Sequence, residues 1–111
     1  MGKLARGCLA LLPVLFAVIA GDPVPAQDGG EGKLIFREKA QPPCALCHTL
    51  KAANSTGKIG PDLGELKLDL DKIRKAVRDG VGNMPPYADT LSDAQIEAVS
   101  KYVADAVGIR Q

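Results

Sequence analysis

Residues 42–51 read PPCALCHTLK, with two cysteines and a histidine inside five positions. Cys44, Cys47 and His48 at this spacing could serve three chemistries: a redox disulfide, a metal site, or covalent attachment of haem. A redox pair belongs at the start of a helix that follows a strand in an α/β fold. No run in the chain has sustained period-two alternation with β-branched residues, so that setting is missing. A structural zinc site needs four nitrogen or sulfur ligands. His48 is the one histidine in the chain, and the third cysteine, Cys8, lies far away in the amino-terminal segment. That leaves no fourth ligand of the right kind. Haem accounts for the spacing physically. One helical turn lets Cys44 and Cys47 add to the two vinyl groups of one porphyrin edge as thioethers, and the adjacent His48 brings its imidazole under the iron. CALCH is the attachment pattern of c-type haem.

An iron carried on His48 has a second face. No other histidine exists, and Met84 is the methionine that remains once Met1 is set aside. A lone methionine is more often a core gap-filler than a ligand. A core methionine, however, belongs on a helical stripe, and Met84 sits in the Gly/Pro loop GVGNMPPY (80–87), where Pro85 and Pro86 restrict the backbone. Met84 is therefore expected as the axial ligand, since a thioether is a known sixth ligand of c-type haem iron.

Away from the motif the patterns are helical. Asp28–Ala40 places an Asp three residues before Glu31 in the manner of a capping box, with Gly32, Phe36 and Ala40 at i, i+4, i+8, and Pro42–Pro43 ends the run. In Asp69–Asp79 the residues Leu70, Ile73 and Val77 share a face; Asp69 can cap the start and Gly80 suits the turn beyond. In the last segment Ser92 and Gln95 form a capping box, and Ile96, Val99, Val103 and Ala106 form an apolar stripe bordered by Tyr102, with Gly108 as the stop. Residues 49–68 and 80–91 are loops rich in Gly, Pro and Asn. Loops this long in a small domain imply that something other than protein occupies its middle.

The first residues read as an export signal. Lys3 and Arg6 precede the apolar run Leu9–Ala20, and Val24-Pro25-Ala26 offers a cleavage site. The run is interrupted by Pro13 and is too short for the roughly 20 residues of a membrane span. Cys8 precedes the apolar run and is wrongly placed for lipid attachment. The expected division is a signal peptide at 1–26 and one domain at 27–111. Without Lys3, Arg6 and Asp22 the basic and acidic side chains are equal in number. A neutral domain gives no reason to expect a nucleic-acid partner. Two cysteines three residues apart close too small a loop to stabilise so short a chain, so a cofactor is the expected staple.

Together these features resemble the class I cytochromes c. The resemblance is carried by Gly32 and Phe36, CALCH at 44–48, IGPDL at 59–63, MPPY at 84–87 and a capped last helix bearing Tyr102. It implies an all-α fold of three to four helices and long loops around one covalently attached haem. Gly32 would let the first and last helices cross closely, with Phe36 and Tyr102 packed near the crossing. The Pro61 carbonyl would accept a hydrogen bond from the second ring nitrogen of His48, although Gly60-Pro61 would also make an ordinary turn. No Trp is present, and Tyr87, Lys51 and Lys58 are candidates for the propionates. The loop motifs are similar to those of the small haem subunits of periplasmic sulfite-oxidising enzymes.

The expected function is periplasmic one-electron transfer by a non-enzymatic carrier. It would use iron-containing haem c held by Cys44, Cys47, His48 and Met84, between a donor dehydrogenase and a terminal oxidase or other acceptor. No stable membrane insertion is expected after signal cleavage. Two alternatives stand beside it: a dedicated haem subunit of a periplasmic oxidoreductase such as a sulfite dehydrogenase, and an open-site gas-binding or peroxidatic haem protein.

Overall fold

The computed structural model describes residues 29–109, with isolated positions at 2, 7, 10, 12, 13 and 21. The proposed signal at 1–26 and the Asp28 cap lie outside the described residues or rest on such isolated positions. The described elements are α1 (Gly30–Leu34), continued by a π-helical turn over Ile35–Lys39, α2 (Cys44–Cys47), β1 (Thr49–Leu50), a 3₁₀ turn (Lys51–Ala53), β2 (Ser55–Thr56), α3 (Leu70–Asp79) and α4 (Asp93–Ala106). The fold is all-α apart from the small hairpin, in which Thr49 pairs with Thr56 and Leu50 with Ser55. The hairpin was not expected. Two residues a side are too few to print a period-two pattern on the sequence.

Helix α1 begins at Gly30, and its cap is Gly29 in the left-handed conformation with no side-chain cap bond. The π turn, closed by Ala40 N–H donating to the Ile35 carbonyl at 3.1 Å, was not anticipated. It admits one extra residue into the turn. The neighbours Ile35 and Phe36 are both buried, while Gly32, Phe36 and Ala40 keep the inward face assigned to them.

The other two helices follow their patterns closely. Asp69 accepts from the Lys72 N–H, and Leu70, Ile73 and Val77 are buried. The Ser92–Gln95 capping box is reciprocal. The α4 stripe differs in one place: Ala106 is exposed, whereas Ser100 and Ala104 are buried beside Ile96, Val99 and Val103. Helix α4 packs on α1 and on α3 together, so its buried face is broader than a single stripe.

The α1–α4 crossing depends on Gly32. A Cβ there would stand 2.5 Å from the Ala98 carbonyl oxygen and from Tyr102 Cβ. Phe36 and Tyr102 seal the crossing edge to face, with ring centroids 6.1 Å apart and planes at 62°. On the other flank, Arg74 of α3 makes a two-pronged bond to Glu97 of α4, at 2.6 and 2.9 Å.

Two predictions follow from this packing. Gly32→Ala overpacks the crossing and destabilises the protein by about 1–3 kcal/mol, read as a lowered unfolding midpoint in urea. Arg74 holds the Glu97 carboxyl below its usual range, chiefly through their hydrogen bond. That stabilisation is complete above the ordinary glutamate range and is lost as pH falls through the depressed value. Thermal melts should therefore show a shallower acid loss of stability in Glu97→Gln than in wild type.

Candidate haem site

A cavity of about 380 Å³ lies inside the fold, and its lining is mostly apolar. The π turn after α1 supplies Phe36, and α3 supplies Ile73, Ala76 and Val77. Helix α4 supplies Val99 and Val103, and the long middle loop supplies Leu63, Leu66 and Leu68. The polar and sulfur-bearing groups on the same wall include Cys44, Cys47, His48 and Met84. The structure thus brings together all four residues singled out in the sequence, though 36 positions separate His48 from Met84 along the chain.

Each is placed by a local cause. Pro43, in an extended conformation, starts the single turn of α2, and His48 N–H closes it on the Cys44 carbonyl at 2.9 Å. The two thiols thereby sit one turn apart on the cavity wall. The segment after the hairpin is tied back to α2 by Gly60 N–H donating to the Cys47 carbonyl at 2.7 Å and Leu63 N–H to the Thr49 carbonyl at 3.0 Å. Those bonds bring the Pro61 carbonyl to 2.8 Å from His48 Nδ1. A carbonyl oxygen can only accept, so Nδ1 carries a proton toward Pro61 and Nε2 is the ring nitrogen left for another partner. Gly60 lies against the ring, where a Cβ would come within 2.6 Å of Cε1.

Met84 is held differently. Gly80 ends α3 at φ +76°, a conformation that disfavours side chains, and a Cβ there would stand 2.5 Å from the Met84 carbonyl oxygen. Val81 and Met84 then exchange two backbone hydrogen bonds, at 3.2 and 2.9 Å. Tyr87, considered from the sequence as a propionate partner, is instead buried, and its hydroxyl donates to the Pro42 carbonyl at 2.6 Å. Burial pushes its phenol up to about 12, so it remains a donor at neutral pH. Lys51 and Lys58 are exposed and outside the cavity lining.

The packing of Gly60, the Tyr87 bond and the lining residues Ile59 and Val81 were not assigned from sequence. The Gly-Pro pair at 60–61 was the one available signal for the first.

Burial pushes the Cys44 thiol up to about 11, the reverse of the low value that makes a redox cysteine reactive. Among the described residues no three His, Cys, Asp or Glu side chains are grouped to hold a metal ion by themselves.

Residues 27–103 match the family described as cytochrome c oxidase, cbb3-type, subunit III. Cytochrome c6 of Picosynechococcus is 34% identical over 117 residues, which cover 95% of this chain and 94% of the relative. The chain belongs to the class I cytochromes c. Cytochrome c6 of Cladophora glomerata is 38% identical over 82 residues, 68% of this chain and 85% of that one. The crystal structure of the c-type cytochrome SorU from Sinorhizobium meliloti is similar with a TM-score of 0.68 and 44% identity, covering 73% of this chain and 92% of that chain.

As a class I cytochrome c the protein carries one covalently bound haem c with its iron and acts in electron transfer with redox protein partners. The cavity fits that group. Its walls are apolar, two thiols stand one turn apart, one imidazole nitrogen is free, and a thioether lies on the same lining.

Gly60→Ala should push the His48 ring off the Pro61 carbonyl and cost about 1–3 kcal/mol. A thermal melt measures the cost, and loss of the slowly exchanging Nδ1–H proton from the NMR spectrum of the reduced protein reports the broken bond.

Proposed function

We propose that residues 1–26 direct export and are removed, and that residues 27–111 work in the periplasm as a one-electron carrier. Cys44 and Cys47 would hold the haem as thioethers, and His48 and Met84 would bind its iron. The observation that supports this reading is the shared cavity wall bearing both thiols, His48 and Met84. Among the described residues no helix is long and apolar enough to cross a membrane.

When bound, the haem supplies an iron that passes between Fe(II) and Fe(III). The chain supplies the tuning. Donating Nδ1–H to Pro61 fixes the His48 tautomer and raises the basicity of Nε2. The soft sulfur of Met84 favours the reduced state and raises the potential. Leu63, Leu66, Ile73 and Val77 keep water from the cavity and so disfavour the additional charge of the oxidised state. With His48 and Met84 both binding the iron, no place would be left on it for a substrate, which supports a carrier over an enzyme. Ile59 and Val81 line the cavity yet are 76% and 63% exposed. They mark the face where a donor dehydrogenase and a terminal oxidase or other acceptor would dock.

The same two side chains support a second reading, a dedicated haem subunit of a periplasmic oxidoreductase such as a sulfite dehydrogenase. A permanent subunit co-purifies with its enzyme through a large interface, whereas a free carrier makes small, transient contacts.

Met84→Ala in the mature holoprotein tests the ligation. The wild type should be low-spin, with the weak far-red band of a methionine–iron bond when oxidised. The variant should lose both, and its potential should fall by about a tenth of a volt or more, within the roughly 0.8 V that axial ligands command. An unchanged variant spectrum would put the open-site gas-binding or peroxidatic reading first. Failure to attach haem at Cys44 and Cys47 would remove the whole proposal.

A further inference from the structure

Tyr87 follows Met84 by three residues and closes the methionine loop. Its backbone is held at three points: its N–H donates to the Val77 carbonyl at 3.0 Å, and its carbonyl accepts from Thr90 at 3.1 Å and Leu91 at 2.8 Å. The loop's end is therefore fixed to α3. The side chain is 4% exposed and reaches the other half of the sequence, where its hydroxyl meets the Pro42 carbonyl, two residues before Cys44. Among the described residues this is the one hydrogen bond that joins the loop 80–91 to the segment 40–48. Pro85 and Pro86 stand between Met84 and Tyr87, and each locks one backbone dihedral and donates no hydrogen bond. A shift of the Met84 backbone is thus carried to Tyr87 through few soft torsions.

We propose that Tyr87 is a positioning residue for Met84, its hydroxyl bond to Pro42 holding the methionine loop against the cysteine segment. The proposal rests on the reading of Met84 as an axial ligand. Its consequence is specific: the bond sets how readily the Met84 sulfur yields its place to an external ligand. Such a ligand binds with its intrinsic affinity multiplied by the fraction of molecules in which the loop is open. Losing one partly buried, neutral hydrogen bond raises that fraction about tenfold. A tyrosine that served only general stability would leave the fraction unchanged.

The test is an imidazole titration of the oxidised holoprotein, followed by loss of the far-red methionine–iron band, in wild type, Tyr87→Phe and Ser92→Ala. The Phe variant keeps the ring and removes the donor. Ser92→Ala removes the α4 cap and lowers the melting temperature, and the Ser92 side chain, bonded to Gln95, makes none of the hydrogen bonds that hold Tyr87. The expected result is about tenfold tighter apparent imidazole binding in Tyr87→Phe, with Ser92→Ala equal to wild type. Wild-type affinity in Tyr87→Phe, or equal tightening in both variants, overturns the proposal while the band in wild type leaves Met84 ligation standing. A wild type without the band overturns Met84 ligation itself, and this inference with it. Should Tyr87→Phe not accumulate as holoprotein, Tyr87→Leu takes its place with the same expectation.

Discussion

The close approach of α1 to α4 at Gly32 sets the frame on which everything else is hung. With no side chain at 32, the α1 backbone rests against the Ala98 carbonyl, and Phe36 and Tyr102 close the edge of the contact. Helix α4 then has its other side free for α3, secured by Arg74 and Glu97. Three helices held this way meet along α4 and diverge elsewhere. Phe36 from the π turn after α1, Val77 from α3, and Val99 and Val103 from α4 become the walls of the cavity. A domain this small buries little apolar surface by its own helix contacts, so much of its burial must be against a cofactor.

The loops complete what the helices leave open, and backbone hydrogen bonds position them. Gly60 and Leu63 are laced to Cys47 and Thr49, which carries Pro61 to the imidazole. Val81 and Met84 bond to each other just past the end of α3, which carries the methionine to the same wall. Each long loop is thereby a specified path that carries a chemical group to the cavity wall. This explains how irregular segments can hold a site that needs accurate placement.

The correspondence between sequence and structure is uneven for identifiable reasons. Features governed by neighbours in the chain were legible. The caps at Asp69 and Ser92, the faces of α3 and the turn at CALCH depend on residues within one or two turns of each other. The π turn after α1, the small hairpin and the exposure of Ala106 were not legible. Each arises from what the segment packs against: Ile35 and Phe36 are both drawn inward, and α4 is covered from two sides. The spacing of Cys44, Cys47 and His48 pointed to haem because three reactive groups at that interval have few other uses.

The sequence by itself determined the chemistry on offer: two thiols and an imidazole in one turn, one methionine besides Met1, placed in a Gly/Pro loop, and helices with readable caps. Each of these is set by residue identity and local spacing. The tertiary structure alone decided that Met84 shares a cavity wall with His48, that Nδ1 rather than Nε2 is committed to a carbonyl, and that Tyr87 bonds to Pro42 instead of facing a propionate. Those outcomes join residues 13 to 45 positions apart, and no local preference encodes them. They exist because the helix crossing at Gly32 and the backbone lacing of the loops leave these groups no other place to be.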